Sequence, residues 1–338
     1  MHKHLKWLLG AAVALTLAAP AFAQDEPFRL IVTHLEPPLV PNSVMDLAVE
    51  LGYFEREGVN VELVRVQQTP SAIAAIQSGE GEMANVGLDA LLQLVARGTT
   101  DLKAVTSPNK SLPYLIASKE DIATTADLSG RSFGIGRPGS LDHSLTTRVL
   151  ATDEVDTDSV DFVSIGQPDI RIQALAAGQI DATTVSIGVW LSLPDKDGLH
   201  ILVNQDDYYA AAPVVNKVNI VSQAALDNRR DDVVAVIRAL TKISRDFAAD
   251  PSKWVEAIAP FQPNMSTEDL ETLAESFAKS WSTNGGMNAE ELAYSTEWLY
   301  STEDFKDVPP VEMSSWADLT LVQDVLAELG TDPNMDAP

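Results

Sequence analysis

Polar and charged side chains follow the apolar, strand-like segments in the first part of this chain. Hydroxyl and amide groups at such positions can donate hydrogen bonds to an anion, whereas carboxylates can bind an amine or a protonated heterocycle. His34 and Glu36 lie two residues apart at a strand end, where they could form a ligand clamp or half of a metal site. The candidates in this part are His34, Glu36, Gln68, Thr69, Gly87, Asp89 and Ser107.

Four further candidates occupy similar positions in the middle of the chain: Arg137, Ser140, Ser186 and Trp190. Arg137 and Ser140 lie between a strand and a helix, so a guanidinium and a helix N-terminus could together bind an oxyanion. Trp190 could stack on a ligand, although tryptophan is more often part of a core. Equally, Thr69 and Ser140 could only cap helices, and Arg137 could pair with a surface carboxylate.

The chain lacks the residue patterns of common catalytic and cofactor sites. It contains no cysteine, and its histidines form neither an H-x-x-x-H nor an H-E-x-x-H spacing. No G-x-S-x-G nucleophile motif occurs, and the segment FGIGRPGS lacks both the P-loop lysine and the full dinucleotide fingerprint. The sequence therefore predicts no metal, no cofactor and no catalytic residue.

Alternating strand and helix patterns must position these candidates. Apolar and β-branched segments predict one group of strands at 28–33, 59–66, 83–86 and 102–106. A second group is predicted at 132–135, 160–165, 182–185 and 200–203, with 115–118 and 214–221 crossing between the groups. The order within the first group predicts a mostly parallel sheet. From residue 223 the pattern is helical, and its clearest apolar stripe contains Val233, Val236, Ile237, Leu240 and Ile243.

An internal repeat with an offset of 99 positions indicates two similarly built units. Each copy reads as a helix that ends at a glycine, an acidic turn and a short apolar strand. The matching residues are Ala75, Ile76, Gly79, Glu82 and Val86 in the first copy and Ala174, Leu175, Gly178, Asp181 and Val185 in the second.

The first 23 residues have the three parts of a secretory signal peptide. A basic start that includes Lys3 and Lys6 precedes an apolar run over residues 8–19, and Ala21 and Ala23 form an A-x-A cleavage site. The run is too short to span a membrane, and without cysteine no lipid anchor is possible. The sequence predicts cleavage after Ala23, a mature chain from Gln24, and a periplasmic protein without a membrane anchor.

The composition narrows the class of partner. The full chain carries a formal charge of −26, and removal of Lys3 and Lys6 with the leader makes it −28. Such a charge opposes binding to nucleic acid and to acidic membranes, and it favours solubility. The length beyond residue 23 exceeds that of one simple domain, so two lobes are expected.

Four segments closely resemble one family. They are LGYFEREGVNVELVRV (51–66), SAIAAIQSGEGEMANVG (71–87), DLSGRSFGIGRPGS (127–140) and IQALAAGQIDATTVS (172–186). Their order and spacing resemble the substrate-binding proteins of ABC importers for nitrate, sulfonates, taurine and thiamine-pyrimidine precursors. The resemblance extends over nearly all of the chain after residue 27 and specifies the family better than the ligand.

The resemblance implies an α/β fold of the periplasmic-binding-protein type II, with two doubly wound lobes joined by two crossover strands around a ligand cleft. The expected lobes are residues 24–113 with 216–338, and residues 114–215. The expected function is capture of a small organic anion or zwitterion, such as a sulfonate or taurine, by a monomer that delivers it to ABC permease transmembrane subunits. An aromatic carboxylate or a pyrimidine is the alternative solute. An enzyme like the thiamine-pyrimidine or menaquinone relatives is the alternative class, which the secretion signal disfavours.

Overall fold

The computed structural model describes residues 26–109, 114–212, 215–277 and 280–333. The predicted signal peptide lies outside these residues. Among the helices in the described ranges, none combines the length and apolar character needed to cross a bilayer.

Two five-stranded sheets form the centre of the described structure. The strands are β1 (Phe28–Val32), β2 (Val61–Arg65), β3 (Met83–Gly87), β4 (Leu102–Asn109), β5 (Tyr114–Lys119), β6 (Ser132–Ile135), β7 (Asp161–Ser164), β8 (Ala182–Ser186), β9 (Leu199–Val203) and β10 (Lys217–Ser222). The first sheet has the order β2-β1-β3-β10-β4, and the second has the order β7-β6-β8-β5-β9. The two sheets therefore share one topology.

Each sheet is parallel except for one strand that arrives from the other sheet. In the first sheet β1 pairs in parallel with β2 and β3, whereas β10 is antiparallel to both β3 and β4. In the second sheet β5 is likewise antiparallel to β8 and β9. The predicted mostly parallel sheet is confirmed, and each crossover segment is itself an inner strand of the sheet it enters.

The helices cover both faces of the sheets, as parallel strands that are apolar on both faces require. They are α1 (Val44–Glu50), α2 (Tyr53–Arg56), α3 (Thr69–Gln77), α4 (Leu88–Ala96), α5 (Leu141–Thr152), α6 (Pro168–Ala176), α7 (Ile187–Ser192), α8 (Gln205–Ala211), α9 (Gln223–Asn228), α10 (Arg230–Ala249), α11 (Pro251–Ile258), α12 (Thr267–Ser276), α13 (Ala289–Tyr300), α14 (Met313–Trp316) and α15 (Thr320–Leu329). We call the first sheet and its helices the first lobe, and the second sheet with α5 to α8 the second lobe.

The predicted helical stripe after residue 223 is the buried face of α10. All five of its apolar residues are buried, and α10 packs against α1, α2 and α15 of the first lobe. The chain thus returns to complete the first lobe after building the second. The predicted lobe boundaries at 113/114 and 215/216 remain predictions, since residues 110–113 and 213–214 lie outside the described ranges.

The repeat detected in the sequence corresponds to equivalent elements of the two lobes. The strands β3 and β8 occupy positions 83–87 and 182–186, and the preceding helices α3 and α6 are offset by the same spacing at their C-terminal ends. Strand limits differ from the predictions by a few residues. The largest differences are that β4 continues to Asn109, beyond the predicted end at 106, and that the returning strand begins only at Lys217.

Candidate functional site

A cavity of about 220 Å³ lies between the carboxyl ends of the parallel strands in the two lobes. Ligands in open α/β sheets bind at this edge, because loops and helix N-termini converge there. Both lobes and both crossover strands contribute to its wall. The lining residues are Thr33, Gln67, Gln68, Thr69, Pro70, Gly87, Asp89, Tyr114, Gly136, Arg137, Ser140, Leu141, Asp142, Gly166, Gln167, Pro168, Arg171, Asn216 and Lys217.

The first-lobe wall is built where β3 passes into α4. The backbone N–H of Gly87 donates to Thr69 Oγ1 at 3.2 Å, which ties this junction to the start of α3. The carboxylate of Asp89 folds back over Gly87, so a Cβ at Gly87 would overlap Asp89 Oδ1. The absence of a side chain at Gly87 therefore lets the Asp89 carboxylate take this position.

Two opposite charges lie side by side on this wall. Asp89 is 8% exposed, and burial raises the pKa of its carboxyl group, an effect opposed first by a hydrogen bond from the Ala90 N–H and then by the nearby charges of Arg137 and Lys217. Burial lowers the pKa of the Lys217 amine to about 8, while the charge of Asp89 opposes this shift. Lys217 Nζ donates a hydrogen bond to Thr33 Oγ1 at 2.6 Å.

The second-lobe wall is the loop between β6 and α5 together with the start of α6. The Ser140 hydroxyl donates to the Arg137 carbonyl oxygen at 2.7 Å, which closes the loop. Asp142 accepts the Gly136 N–H at 2.8 Å and lies 3.5 Å from the guanidinium of Arg171. Arg137 is exposed, and among the described residues its guanidinium has only the neighbouring Pro138 carbonyl, at 3.4 Å, as a hydrogen-bond partner.

Arg171 holds the second wall in place from within. It is 2% exposed; Nε donates to Thr183 Oγ1 at 3.1 Å and Nη2 donates to the Thr184 carbonyl at 2.9 Å. A further bond runs from Nη1 to the Gly166 carbonyl at 2.5 Å. Because its donors are already engaged, Arg171 fixes β8, α6 and the loop before α6 relative to one another.

The crossover strands supply the floor of the cleft. Tyr114 begins β5, Lys217 begins β10, and Asn216 precedes Lys217 directly. Burial raises the pKa of the Tyr114 phenol well above its usual range. Asn216 is 3% exposed, and its side chain lies near the Tyr114 hydroxyl, where it partly offsets the raised pKa of that phenol, but its Nδ2 makes no complete hydrogen bond to a described residue. A buried amide donor without an acceptor is costly, so this group is suited to an acceptor on a bound molecule.

The two lobes touch around the cleft. Gln167 Nε2 of the second lobe reaches the Gln67 carbonyl of the first lobe at 3.5 Å. Ser144 Oγ on α5 donates to Asp304 Oδ2 at 3.3 Å. The two lobes are therefore in direct contact beside the cleft.

Comparison with protein families identifies the chain. The family model described as NMT1/THI5 like matches residues 44–253, more than half of the sequence. The chain belongs to the NMT1/THI5-like family. The sequence-based assignment to this group is confirmed, whereas comparison with curated protein sequences gave no match.

Solved structures with the same fold include binding proteins of importers. A protein from Bordetella bronchiseptica RB50 has a TM-score of 0.73 at 18% identity, with 90% of this NMT1/THI5-like chain and 98% of that chain covered. The periplasmic aliphatic sulphonate binding protein SsuA from Escherichia coli has a TM-score of 0.68 at 16% identity, covering 87% and 92%. The alkanesulfonate-binding protein SsuA from Xanthomonas axonopodis pv. citri, bound to MOPS, has a TM-score of 0.65 at 18% identity, covering 84% and 96%. These likenesses establish the periplasmic-binding-protein fold for this family member.

Six of the eleven residues singled out in the sequence line the cleft of this NMT1/THI5-like protein. They are Gln68, Thr69, Gly87, Asp89, Arg137 and Ser140. Two of them differ from the predicted local roles. The helix α3 begins at Thr69, so Gln68 occupies the N-cap position, without a side-chain capping bond, and the Thr69 hydroxyl instead accepts the Gly87 N–H. Ser140 is the N-cap of α5 by position, but its hydroxyl donates to the Arg137 carbonyl oxygen and accepts the Arg137 N–H, and it bonds no N–H of α5. Contact of these residues with a ligand remains a prediction.

The other five lie away from the cleft wall. His34 Nε2 is 2.7 Å from Asp46 Oδ2, and Arg65 Nη2 is 2.7 Å from the second oxygen of that buried carboxylate. His34 is therefore engaged with the carboxylate of the Asp46–Arg65 ion pair. Glu36 is exposed in the following loop. The described residues contain no group of three or more His, Asp or Glu placed to hold a metal ion.

Ser107, Ser186 and Trp190 are engaged within the lobes. Ser107 lies inside β4 and donates to the Lys217 carbonyl at 2.6 Å, because β4 runs farther than the sequence suggested. Ser186 caps α7 by accepting the Val189 N–H. Trp190 is 7% exposed in the apolar core of the second lobe, which agrees with the core role that the sequence left open beside stacking; its contact with a ligand remains a prediction.

Sequence reasoning missed the residues of the cleft floor. Tyr114, Asn216 and Lys217 belong to crossover segments, which were interpreted as connections and not as ligand-facing elements. Gln167 carried a detectable signal, since it lies 99 positions after Gln68 and is the N-cap of the equivalent helix α6. Arg171 lies in a segment with an ordinary amphipathic helix pattern, and that pattern does not indicate its contacts at the cleft.

Proposed function

We propose that this NMT1/THI5-like protein is the periplasmic solute-binding component of an ABC importer and captures a small organic anion or zwitterion in its cleft. One observation carries the proposal. A single cavity is bounded by both lobes and both crossover strands, so a solute bound there contacts every part that moves when the lobes open. Such contacts favour the closed state through differential affinity.

The polar groups of the cavity support a solute with an acidic group. Lys217 and Arg137 are cations without an ion-pair partner among the described residues, and Asn216 offers a free amide donor. The N-termini of α3, α5 and α6 also lie at the cavity wall, where helix dipoles favour negative charge. Local charge in the cleft is thus opposite in sign to the net charge of the chain, −26.

The sulfonate-binding names of similar structures and the predicted signal peptide support the remaining parts of the proposal. The mature chain begins at Gln24, acts in the periplasm as a monomer, and delivers its solute to the transmembrane subunits of a permease. The acidic surface suits a freely diffusing carrier.

The first test is a thermal melt of the secreted mature protein with taurine, alkanesulfonates, nitrate, aromatic carboxylates and pyrimidines, each titrated in concentration. A solute at about 100 times its Kd adds roughly 2.7 kcal/mol to the stability, a shift of a few degrees. Calorimetry with Arg137→Ala follows, using Arg148→Ala on the exposed face of α5 as the matched control. Loss of a charge-assisted bond lowers the affinity of the first variant by about tenfold or more and leaves the control unchanged. A panel without any concentration-dependent shift contradicts the proposed solute class.

A further inference from the structure

The first-lobe wall of the cleft contains a buried acid, Asp89, and a half-buried base, Lys217, that form no ion pair with each other. Asp89 and Lys217 both line the cavity, and no ion pair within 4.0 Å joins either of them to a described residue. The Lys217 amine has a neutral partner, the hydroxyl of Thr33. The Asp89 carboxylate folds over Gly87 in the first turn of α4.

The backbone keeps these two side chains close to each other. Lys217 lies directly opposite Gly87 in the antiparallel β3–β10 ladder, and Asp89 follows two residues later. The Leu88 N–H donates to the Asn216 carbonyl at 3.1 Å, which also ties the start of α4 to the residue before β10. The acid and the base therefore face one cavity from neighbouring points of a rigid scaffold.

Asn216 adds a buried amide donor beside the base. Its side chain is 3% exposed and its Nδ2 lacks an acceptor within the described part of the chain. An acid oxygen placed between Asn216 Nδ2 and Lys217 Nζ would receive a neutral and a charged hydrogen bond together.

A simple anion satisfies only part of this arrangement. Its charge would compensate Lys217 but would add repulsion to the neighbouring Asp89, and repulsion is strong where water is excluded. A solute that carries an ammonium group at a short distance from its acid group compensates the charges of Asp89 and Lys217 at once. Buried charges are retained at low cost only when each has a partner.

We propose that the solute is a small zwitterion, bound with its ammonium group on Asp89 and its acid group on Lys217 and Asn216. This inference rests on the proposed function and selects one of the solute classes left open there. It makes Asp89 the residue that discriminates against simple oxyanions and alkylated acids of the same shape.

The experiment compares pairs of solutes that differ only in the ammonium group. Calorimetry at pH 7 uses taurine against propane-1-sulfonate and β-alanine against butanoate, in which a methyl group replaces the ammonium group. The mature wild-type protein binds at least one zwitterion about tenfold or more tightly than its partner compound, the effect of one charge-assisted bond.

Two variants assign the preference to Asp89. Asp89→Asn removes the charge and keeps the shape, and it lowers the affinity ratio within the preferred pair to about one. Asp231→Asn is the matched control, because Asp231 is an exposed carboxylate in the first turn of α10. Circular dichroism melts confirm that both variants fold.

The outcomes separate this inference from the proposed function. The zwitterion assignment is overturned if the simple acids bind equally or more tightly and Asp89→Asn leaves the affinity ratio unchanged. In that case the proposed function as a binding protein still stands, and Asp89 acts only as a helix-capping group. Absence of binding by all four compounds overturns the assignment as well. If none of the solutes in the thermal-melt panel binds either, the proposed function is also contradicted.

Discussion

The backbone of Leu39 lies directly against Gly188, and this contact joins the two lobes. A Cβ at Gly188 would lie 2.5 Å from both the carbonyl oxygen and the Cβ of Leu39. Leu39 belongs to the loop after β1 of the first lobe, whereas Gly188 lies in α7 of the second. Glycine inside a helix costs about 1 kcal/mol relative to alanine, so the contact explains its presence at this position.

We expect Gly188→Ala to hold the lobes apart. The added methyl group overpacks the contact by roughly 1–3 kcal/mol in the closed arrangement only, which lowers solute affinity by about 5- to 150-fold. The melting temperature of the solute-free protein stays equal or rises, because alanine favours the helix. Calorimetry and thermal melts check the two effects, with Ser192→Ala on the exposed side of α7 as control. Unchanged affinity in Gly188→Ala would show that solute binding does not need this contact.

Lys217 should make the stability depend on pH in the alkaline range. Burial lowers its pKa from 10.5 to about 8, so between these values the unfolded chain holds a proton that the folded protein has released. The stability contribution of this group therefore rises with pH through that window and is lowest below pH 8. Lys217→Met removes the cost and should stabilise the protein at pH 7 by about 2 kcal/mol, with a difference that shrinks toward pH 10.5. Urea unfolding at several pH values measures this; a constant difference would contradict the lowered pKa.

We expect Asn216 to lower the folding stability of the solute-free protein and to strengthen solute binding. Asn216→Leu removes the buried donor that lacks a partner, so the solute-free protein should become equally or more stable, by up to about 1–2 kcal/mol. The same change removes a hydrogen bond to the solute and should weaken binding by about tenfold. Paired melts and calorimetry test this. Reduced stability with unchanged affinity would place Asn216 among the purely structural residues.

Trp190 provides a test of the packing role assigned to it. Trp190→Ala should destabilise the protein by about 3–5 kcal/mol, because a large buried side chain is lost from the second-lobe core. Trp190→Phe should retain the fold, and its solute affinity should stay within about twofold of the wild type. A strong loss of affinity in a stable Trp190→Phe protein would restore the stacking role that the sequence suggested.

The parallel part of each sheet could be predicted from sequence because strands buried on both faces are predominantly apolar, as β1 and β3 are apart from Arg29 and Asn85. The same logic placed Thr69, Asp89 and Arg137 at the cleft, since the carboxyl ends of parallel strands meet there. The roles of Asn216 and Lys217 depend on the insertion of β10 between β3 and β4, a tertiary pairing that no local pattern encodes. Trp190 and His34 also follow strands, but neither lines the cleft. Trp190 packs in the second-lobe core and His34 bonds Asp46, because packing and polar contacts decide the direction of a side chain.

The insertion of β10 also sets the order in which the sheets can be completed as the chain is made. The second sheet uses only strands from one continuous stretch, β5 to β9, whereas β3 and β4 have no partner between them until Ser222 has been synthesised. During that interval the first lobe presents open strand edges, which are templates for pairing with other chains. The large negative charge of the protein, −26 over the full chain, opposes such pairing because incompletely folded copies repel one another.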